Sequence, residues 1–389
     1  MTLSRPRLVT RPLLLVFTAD FCGLTAFYLL LSVVPQYAGS GLTTGALMLS
    51  TVAAEFAMPW LTARLGERSV LAGGLVLLGV PALALPVATT LPVITVVCLL
   101  RGAGLAVVFV VCGTVCARLI PAERRGEGLG AIGVVAGLPA IVMMPFGVWL
   151  AGVAGYGAVF VLSALVVLPG LAAVAALPRT GAVPASGMAA AVRTGALVRP
   201  ALVFAATATA AGVVVTFLPG MPGAAGRPDL AAAALLAHSL SATACRWWAG
   251  RYGDRRGAAR PLAYGVAVGV LALVPLAAGH PVGLLAGAVL GGAGFGMVQA
   301  GSLAVMYERA PVSAYGVVTA VWSVAYDGGL GIGSAGFGML AAVAGPRSAF
   351  AVLAVVMLLA LANNRQSPRR PRPWPTLRRH VDRVGRSGA

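Results

Sequence analysis

Twelve stretches of roughly 20 apolar residues recur along this 389-residue chain, and no water-soluble fold can bury them all. They fall at 12–34, 43–62, 70–88, 92–117, 127–150, 156–177, 200–219, 230–250, 261–279, 282–306, 314–342 and 347–363. Each is long enough to cross a hydrocarbon core as a helix. The runs are continuous rather than alternating, which excludes a membrane β-barrel. Only 10% of the residues are charged, against about a quarter in soluble domains, so lipid must serve as solvent. The 51 glycines suit membrane helices, where small residues let backbones approach closely. The first run is too long for a signal-peptide core and lacks a small-residue cleavage site.

A net charge of +18 raises the question of nucleic acid, but the placement of the charge argues against it. All 28 basic residues are arginine, a usage that fits a GC-rich bacterial genome. They sit between the apolar runs and in the last 25 residues rather than on one face of a soluble domain. Allotting the loops alternately to two sides puts 24 arginines on the side of both termini and two, Arg227 and Arg347, on the other. By the positive-inside rule the termini are cytoplasmic, in the plasma membrane of a bacterium. The same asymmetry supports the even number of spans.

The chain repeats itself. At an offset of 190, Gly102-Ala103-Gly104 matches Gly292-Ala293-Gly294, and Pro121, Gly126, Gly155 and Phe160 match Pro311, Gly316, Gly345 and Phe350. Each half holds six spans, so the two copies run parallel, related by an axis along the membrane normal. The expected organisation is an N-terminal half over 1–177, a cytoplasmic linker over 178–199, a C-terminal half over 200–363, and an Arg/Pro-rich tail over 364–389. The tail is expected to be disordered. The fold class is all-α.

Charged residues inside the spans are few and costly, roughly 2.5–3.5 kcal/mol each at a helix centre. Asp20, Glu55 and Asp327 lie near the middle of spans, as does Arg101; Arg246 lies about a turn inside the eighth. Such residues face a bundle interior or a wet cavity. A carboxylate that exchanges a dry neighbourhood for a wet or cationic one changes its proton affinity, which is what a proton relay needs. The competing reading is a static ion pair, such as Asp20 with Arg101, that only fixes packing. Gln299, Trp322, His238 and Tyr307 are the polar or aromatic side chains placed to line a substrate cavity. The five cysteines, Cys22, Cys98, Cys112, Cys116 and Cys245, fall inside apolar runs and form no CxxC pair; packing is their expected role, and no metal or cofactor is implied. An intramembrane enzyme would need paired acids or a His–Asp pair at the membrane edge, and His280 and His380 stand alone.

The loop after the second span reads Pro59-Trp60-Leu61-Thr62-Ala63-Arg64-Leu65-Gly66-Glu67-Arg68, and its counterpart after the eighth reads Gly250-Arg251-Tyr252-Gly253-Asp254-Arg255-Arg256-Gly257. Both resemble the G-x-x-x-D-R-x-G-R-R loop of the major facilitator superfamily, the second copy more fully. Arg101-Gly102-Ala103-Gly104 resembles the family's helix 4 motif, Met144-Pro145-Phe146-Gly147 the end of its helix 5 antiporter motif, and Tyr326-Asp327-Gly328-Gly329 a helix 11 Asp-Gly pattern of efflux-type members. The resemblance covers essentially the whole chain. It implies a twelve-helix secondary transporter that is not an enzyme, works by alternating access and acts as a single copy. It also implies a cytoplasmic gate at Arg64, Gly66, Arg68, Gly250, Asp254, Arg255 and Arg246, and proton coupling at Asp20, Arg101, Asp327 and Glu55, with sodium as the other candidate ion. Ala63 stands where the motif has Asp. The expected partners are protons, the lipid bilayer and a small, fairly apolar substrate such as a drug or secondary metabolite moving outward. Import of a sugar, organic acid or other metabolite is the alternative.

Overall fold

The computed structural model describes residues 10–120, 125–178, 197–310 and 315–365, without the side chains at 59, 117, 125–134, 254, 315–316 and 363–365. Most of the linker, the Arg/Pro-rich tail, the Pro121/Pro311 match and the Asp254 side chain therefore lie outside the described residues.

Within them the chain is helical, with no strand. Helix α1 (Arg11–Leu31) continues through one irregular residue into α2 (Val33–Ala38). Then follow α3 (Leu42–Leu65), α4 (Glu67–Gly79), α5 (Leu91–Leu119), α6 (Arg125–Ala154) and α7 (Tyr156–Ala175). The second set is α8 (Val198–Phe217), α9 (Pro228–Arg256), α10 (Ala259–Ala277), α11 (Pro281–Glu308), α12 (Tyr315–Ala344) and α13 (Pro346–Arg365). Taking α2 with α1, these are the twelve expected spans, with ends within a few residues. Helices are obligatory here because lipid offers no partner for a free backbone N–H or C=O. Prolines fix several starts, including Pro92, Pro228 and Pro281, where a missing N–H costs nothing. The third span departs from one α-helix: after Gly79 it tightens into a 3₁₀ segment, Val80–Val87, with Pro81 in its first turn and Pro86 inside it.

The repeat expected from the glycine pattern recurs in the contacts. A Cβ on Gly102 of α5 would meet the Leu47 carbonyl oxygen of α3 at 2.0 Å and Ser50 Oγ at 2.1 Å; one on Gly292 of α11 would meet His238 O of α9 at 2.1 Å and Ser241 Oγ at 2.3 Å. Ser50 and Ser241 each donate back to that same carbonyl, at 3.0 Å in both cases. Gly104 and Gly294 approach the Gly74 and Gly265 carbonyls in the same paired way, at 2.6 and 2.7 Å. The matched Gly155 and Gly345 both hold a left-handed φ, +81° and +83°, at the junctions α6–α7 and α12–α13. A side chain there would be strained, and the single residue turns the chain back into the membrane.

Eight of the described helices are long and apolar enough throughout to cross a membrane; α3 and α13 have shorter apolar stretches. Across the middle of the molecule α3 packs against α12 and α6 against α9.

Candidate functional site

The close approaches along this central seam lie toward the end of the helices remote from Arg11 and Arg365. Gly41 of α3 would put a Cβ 2.0 Å from Ser334 O of α12, and Gly45 one 2.7 Å from the Ala335 Cβ. Met48 Cβ lies 2.8 Å from the Cβ that Gly331 lacks. Gly152 of α6 packs on Pro228 of α9 at 2.4 Å, and Ser239 donates to Ala140 O at 3.3 Å. Small residues therefore seal the far side of the seam.

The intramembrane acids stand deeper along the same seam. Asp20 (8% exposed) is on α1, Glu55 (9%) on α3 and Asp327 (8%) on α12. Among the described residues none of the three forms an ion pair; the one pair present there joins Glu67 to Arg118. Glu55 and Asp327, from different halves, are electrostatic neighbours. Tyr28 of α1 and Tyr326 of α12 are neighbours across the seam, and Asp20, Asp327 and Arg246 all act on Tyr28 electrostatically. Asp20 and Tyr28 are eight residues apart, two turns on one helix face. The seam thus gathers three carboxyls, two phenols and one guanidinium from α1, α3, α9 and α12.

Arg101 is not part of this gathering, and the static Asp20–Arg101 ion pair of the competing reading does not form. Its guanidinium, 1% exposed, donates to Ala26 O at 3.0 Å and Ser163 Oγ at 3.4 Å, and Ser163 itself donates to Ala26 O at 3.0 Å. Ala26 lies six residues beyond Asp20, about 9 Å along α1. Arg101 therefore ties α5 to α1 and α7 inside the first bundle. Its charge is met by oxygen dipoles in place of a carboxylate.

Arg246, placed at the gate by the sequence reading, points inward instead: it donates to Gln299 Oε1 at 3.3 Å and acts on Tyr28 and Tyr326. Trp322 belongs to an aromatic wall that the sequence did not reveal. Phe204 of α8 stacks on Trp322 at 4.6 Å and 18°, and on Tyr326 at 5.9 Å and 13°. Phe295 of α11 lies 5.9 Å from Tyr326 and 6.1 Å from Phe204. Phe204 is buried, while Phe295, Trp322 and Tyr326 are partly buried and leave some ring surface open. Trp322 Nε1 is anchored to Ser302 Oγ at 3.1 Å. His238 packs behind this wall, its Nδ1 3.2 Å from Ala288 O and its ring 6.4 Å from Phe295. Tyr307 lies away from it, near the end of α11, with its hydroxyl 2.9 Å from Thr319 Oγ1.

The gate residues cluster at two corners. At α3–α4, Gly66 has φ +76°, Arg64 lies 5.3 Å over the Trp60 ring, and Arg68 donates to Leu177 O at 3.1 Å and to Ala175 O. At α9–α10, Gly250 has open space beside it and Arg255 is exposed. Among the described residues no group of three His, Cys, Asp or Glu could hold a metal ion.

Two helical bundles meeting along a seam that is sealed at one end and lined with unpaired acids define a membrane transporter. The profile of the Major Facilitator Superfamily matches residues 13–277 and 200–383, and the chain belongs to that family. It is accordingly a secondary transporter and not an enzyme. The fold superposes on the crystal structure of the nucleoside transporter NupG with a TM-score of 0.71 at 14% identity, over 92% of this chain and 98% of that one. A point variant of NupG gives a TM-score of 0.74 at 12% identity, over 91% and 98%. A bacterial homologue of the human lysosomal transporter Spinster, inward-facing and unoccupied, gives 0.67 at 11% identity, over 91% and 95%. No curated protein matches the sequence significantly.

Proposed function

We propose that the chain is a proton-coupled antiporter that exports a small, fairly apolar compound from the cytoplasm of a bacterium. The observation that carries this reading is the set of three buried carboxyls, Asp20, Glu55 and Asp327, without an ion pair at the seam between the halves. A carboxyl so placed changes its surroundings each time the seam opens, and with them its hold on a proton. Substrate lies against Phe295, Trp322 and Tyr326, with Gln299 and Arg246 supplying hydrogen bonds. The two halves, 1–177 and 200–363, rock about this site while 178–199 tethers them. Asp20 and Asp327 carry the coupling proton, Glu55 acts on Asp327 from across the seam, and Arg101 holds α1, α5 and α7 in register around Asp20. Gly66, Arg64 and Arg68 with Gly250, Asp254 and Arg255 close the side of the termini, which is cytoplasmic. Transport into inverted vesicles under an imposed pH gradient tests the coupling, and its absence there with uptake in whole cells would reverse the direction.

That reverse reading, a symporter importing a metabolite, has one observation in its favour. A wall of near-parallel rings suits a flat heterocycle, and the fold is shared with a nucleoside transporter. Proton-dependent uptake of a nucleoside by cells would establish it.

Alternating access makes a further demand on the seam. A bulky side chain at Gly45, where even a Cβ lies 2.7 Å from Ala335, is expected to wedge the far side open. In a protein without its native cysteines, a cysteine at Tyr28 should then react with a membrane-impermeant maleimide from the far side in Gly45→Leu. It should stay protected when Gly45 is kept. Equal protection in both would mean that this side does not open by parting α3 from α12.

A further inference from the structure

The corners α3–α4 and α9–α10 occupy equivalent places, with Gly66 and Gly257 at positive φ, but their charges are used differently. At the first, Glu67 pairs with Arg118, and the Arg68 guanidinium caps the end of α7. At the second, Ala258 and Ala259 stand where Glu67 and Arg68 would fall, and the basic residues have multiplied outward as Arg251, Arg255, Arg256 and Arg260. Among the described residues none of these four forms an ion pair. Exposed arginines without an ion pair in that set keep charge to offer outward.

The surroundings of these arginines specify the ligand. Arg251 lies 4.8 Å over Trp247 and Arg256 5.3 Å over Tyr252. Trp248 stacks on Tyr252 at 5.0 Å, and Tyr264 meets Tyr252 edge-on at 6.4 Å. The Tyr252 hydroxyl faces Arg256, Tyr264 and Arg260, and the Arg256 guanidinium above all holds its pKa below the ordinary phenol value. The first amides of α10, beginning at Ala259, point to the same corner with the positive end of the helix dipole. Cationic heads, a phenol and helix amides together form a phosphate-binding set. The rings beside them are outward-facing: Trp247 is 65% and Tyr264 48% exposed. Tryptophan and tyrosine at the end of a membrane helix lie at the level of lipid headgroups. A soluble phosphate has no use for such rings, whereas acyl chains do.

We propose that the α9–α10 corner is a binding site for an anionic phospholipid, its headgroup phosphate on Arg256, Arg260 and Tyr252 and its chains along Trp247 and Trp248. The basic heads remain in water while the rings and stems lie in the boundary layer. The first corner offers only Arg64 beside an exposed ring, since Glu67 is paired with Arg118 and Arg68 is bound to the end of α7, and it holds no such lipid.

Native mass spectrometry of the full-length protein in detergent, titrated with phosphatidylglycerol or phosphatidylcholine, tests this. The wild type should retain phosphatidylglycerol preferentially. Arg256→Ala with Arg260→Ala should weaken its retention roughly 30-fold, whereas Arg227→Ala with Arg347→Ala, the same loss of charge on the far side, should not. Equal retention by the two double variants, or equal retention of the two lipids by the wild type, would overturn the site. Millimolar inorganic phosphate that strips the lipid as well as unlabelled phosphatidylglycerol does would make the corner a free-anion site and overturn the lipid assignment.

Discussion

Asp327→Asn should abolish the accumulation of substrate against its gradient while leaving substrate exchange intact. Asparagine keeps the size and polarity of aspartate but cannot carry a proton. One proton exchanged per substrate across a gradient of one pH unit is worth about 1.4 kcal/mol, tenfold in concentration. In proteoliposomes holding such a gradient the wild type should approach that tenfold ratio, and Asp327→Asn a ratio of about one. Exchange of labelled for unlabelled substrate, which needs the seam to open but not a net proton, should continue in both. Asp20→Asn is expected to behave the same way, because Asp20 shares Tyr28 with Asp327. Glu55→Gln should differ. Glu55 faces Asp327 across the seam, so removing its charge relieves repulsion between the halves and favours closure. Its exchange rate should fall while its accumulation ratio persists. Full accumulation by both Asn variants would sink the coupling roles of Asp20 and Asp327.

Much of this arrangement can be read from the chain, and what cannot has a physical reason. The spans are legible because lipid demands an uninterrupted apolar helix, and prolines such as Pro228 and Pro281 mark where two of them start. The pairing of Gly102 with Gly292 is legible because a helix crossing this close tolerates no Cβ. The acids stand out because nothing else in their spans is charged. What one helix presents to another is not legible. Residue spacing places Asp20 and Tyr28 on one face of α1, but not the meeting of Tyr28 with Tyr326, which depends on how two bundles abut. For the same reason Arg101 looked like a partner for Asp20, although Ala26 and Ser163 hold it one and a half turns away. Arg246 looked like a gate residue from its depth in the span; its reach toward Gln299 is set by the rotation of α9. The aromatic wall is assembled from α8, α11 and α12, so no local pattern announces it.

Adding one methyl group at the helix crossings should damage the two halves equally in stability and unequally in function. Gly102→Ala would set a Cβ 2.0 Å from the Leu47 carbonyl, and Gly292→Ala one 2.1 Å from that of His238. In each case the obstacle is backbone, which cannot swing aside as a side chain can. The helices must part by about 1.5 Å to reach ordinary contact near 3.5 Å. Overpacking of this kind costs roughly 3 kcal/mol, several degrees of the thermal midpoint in a detergent melt. Gly73→Ala and Gly113→Ala, where nothing lies within 4 Å of the added Cβ, should be neutral or gain up to about 1 kcal/mol of helix stability. Similar melts for all four variants would remove the crossings from the account of stability. Function separates the crossing pair. The residue before Gly102 is Arg101, whose bonds to Ala26 and Ser163 join α5 to α1 and α7; the residue before Gly292 is Gly291, which bears no side chain. Parting α5 from its neighbours shifts that guanidinium and, through α1, the Asp20 carboxyl. Gly102→Ala should therefore lower the accumulation ratio of the protein that remains folded, whereas Gly292→Ala should leave it near the wild-type value.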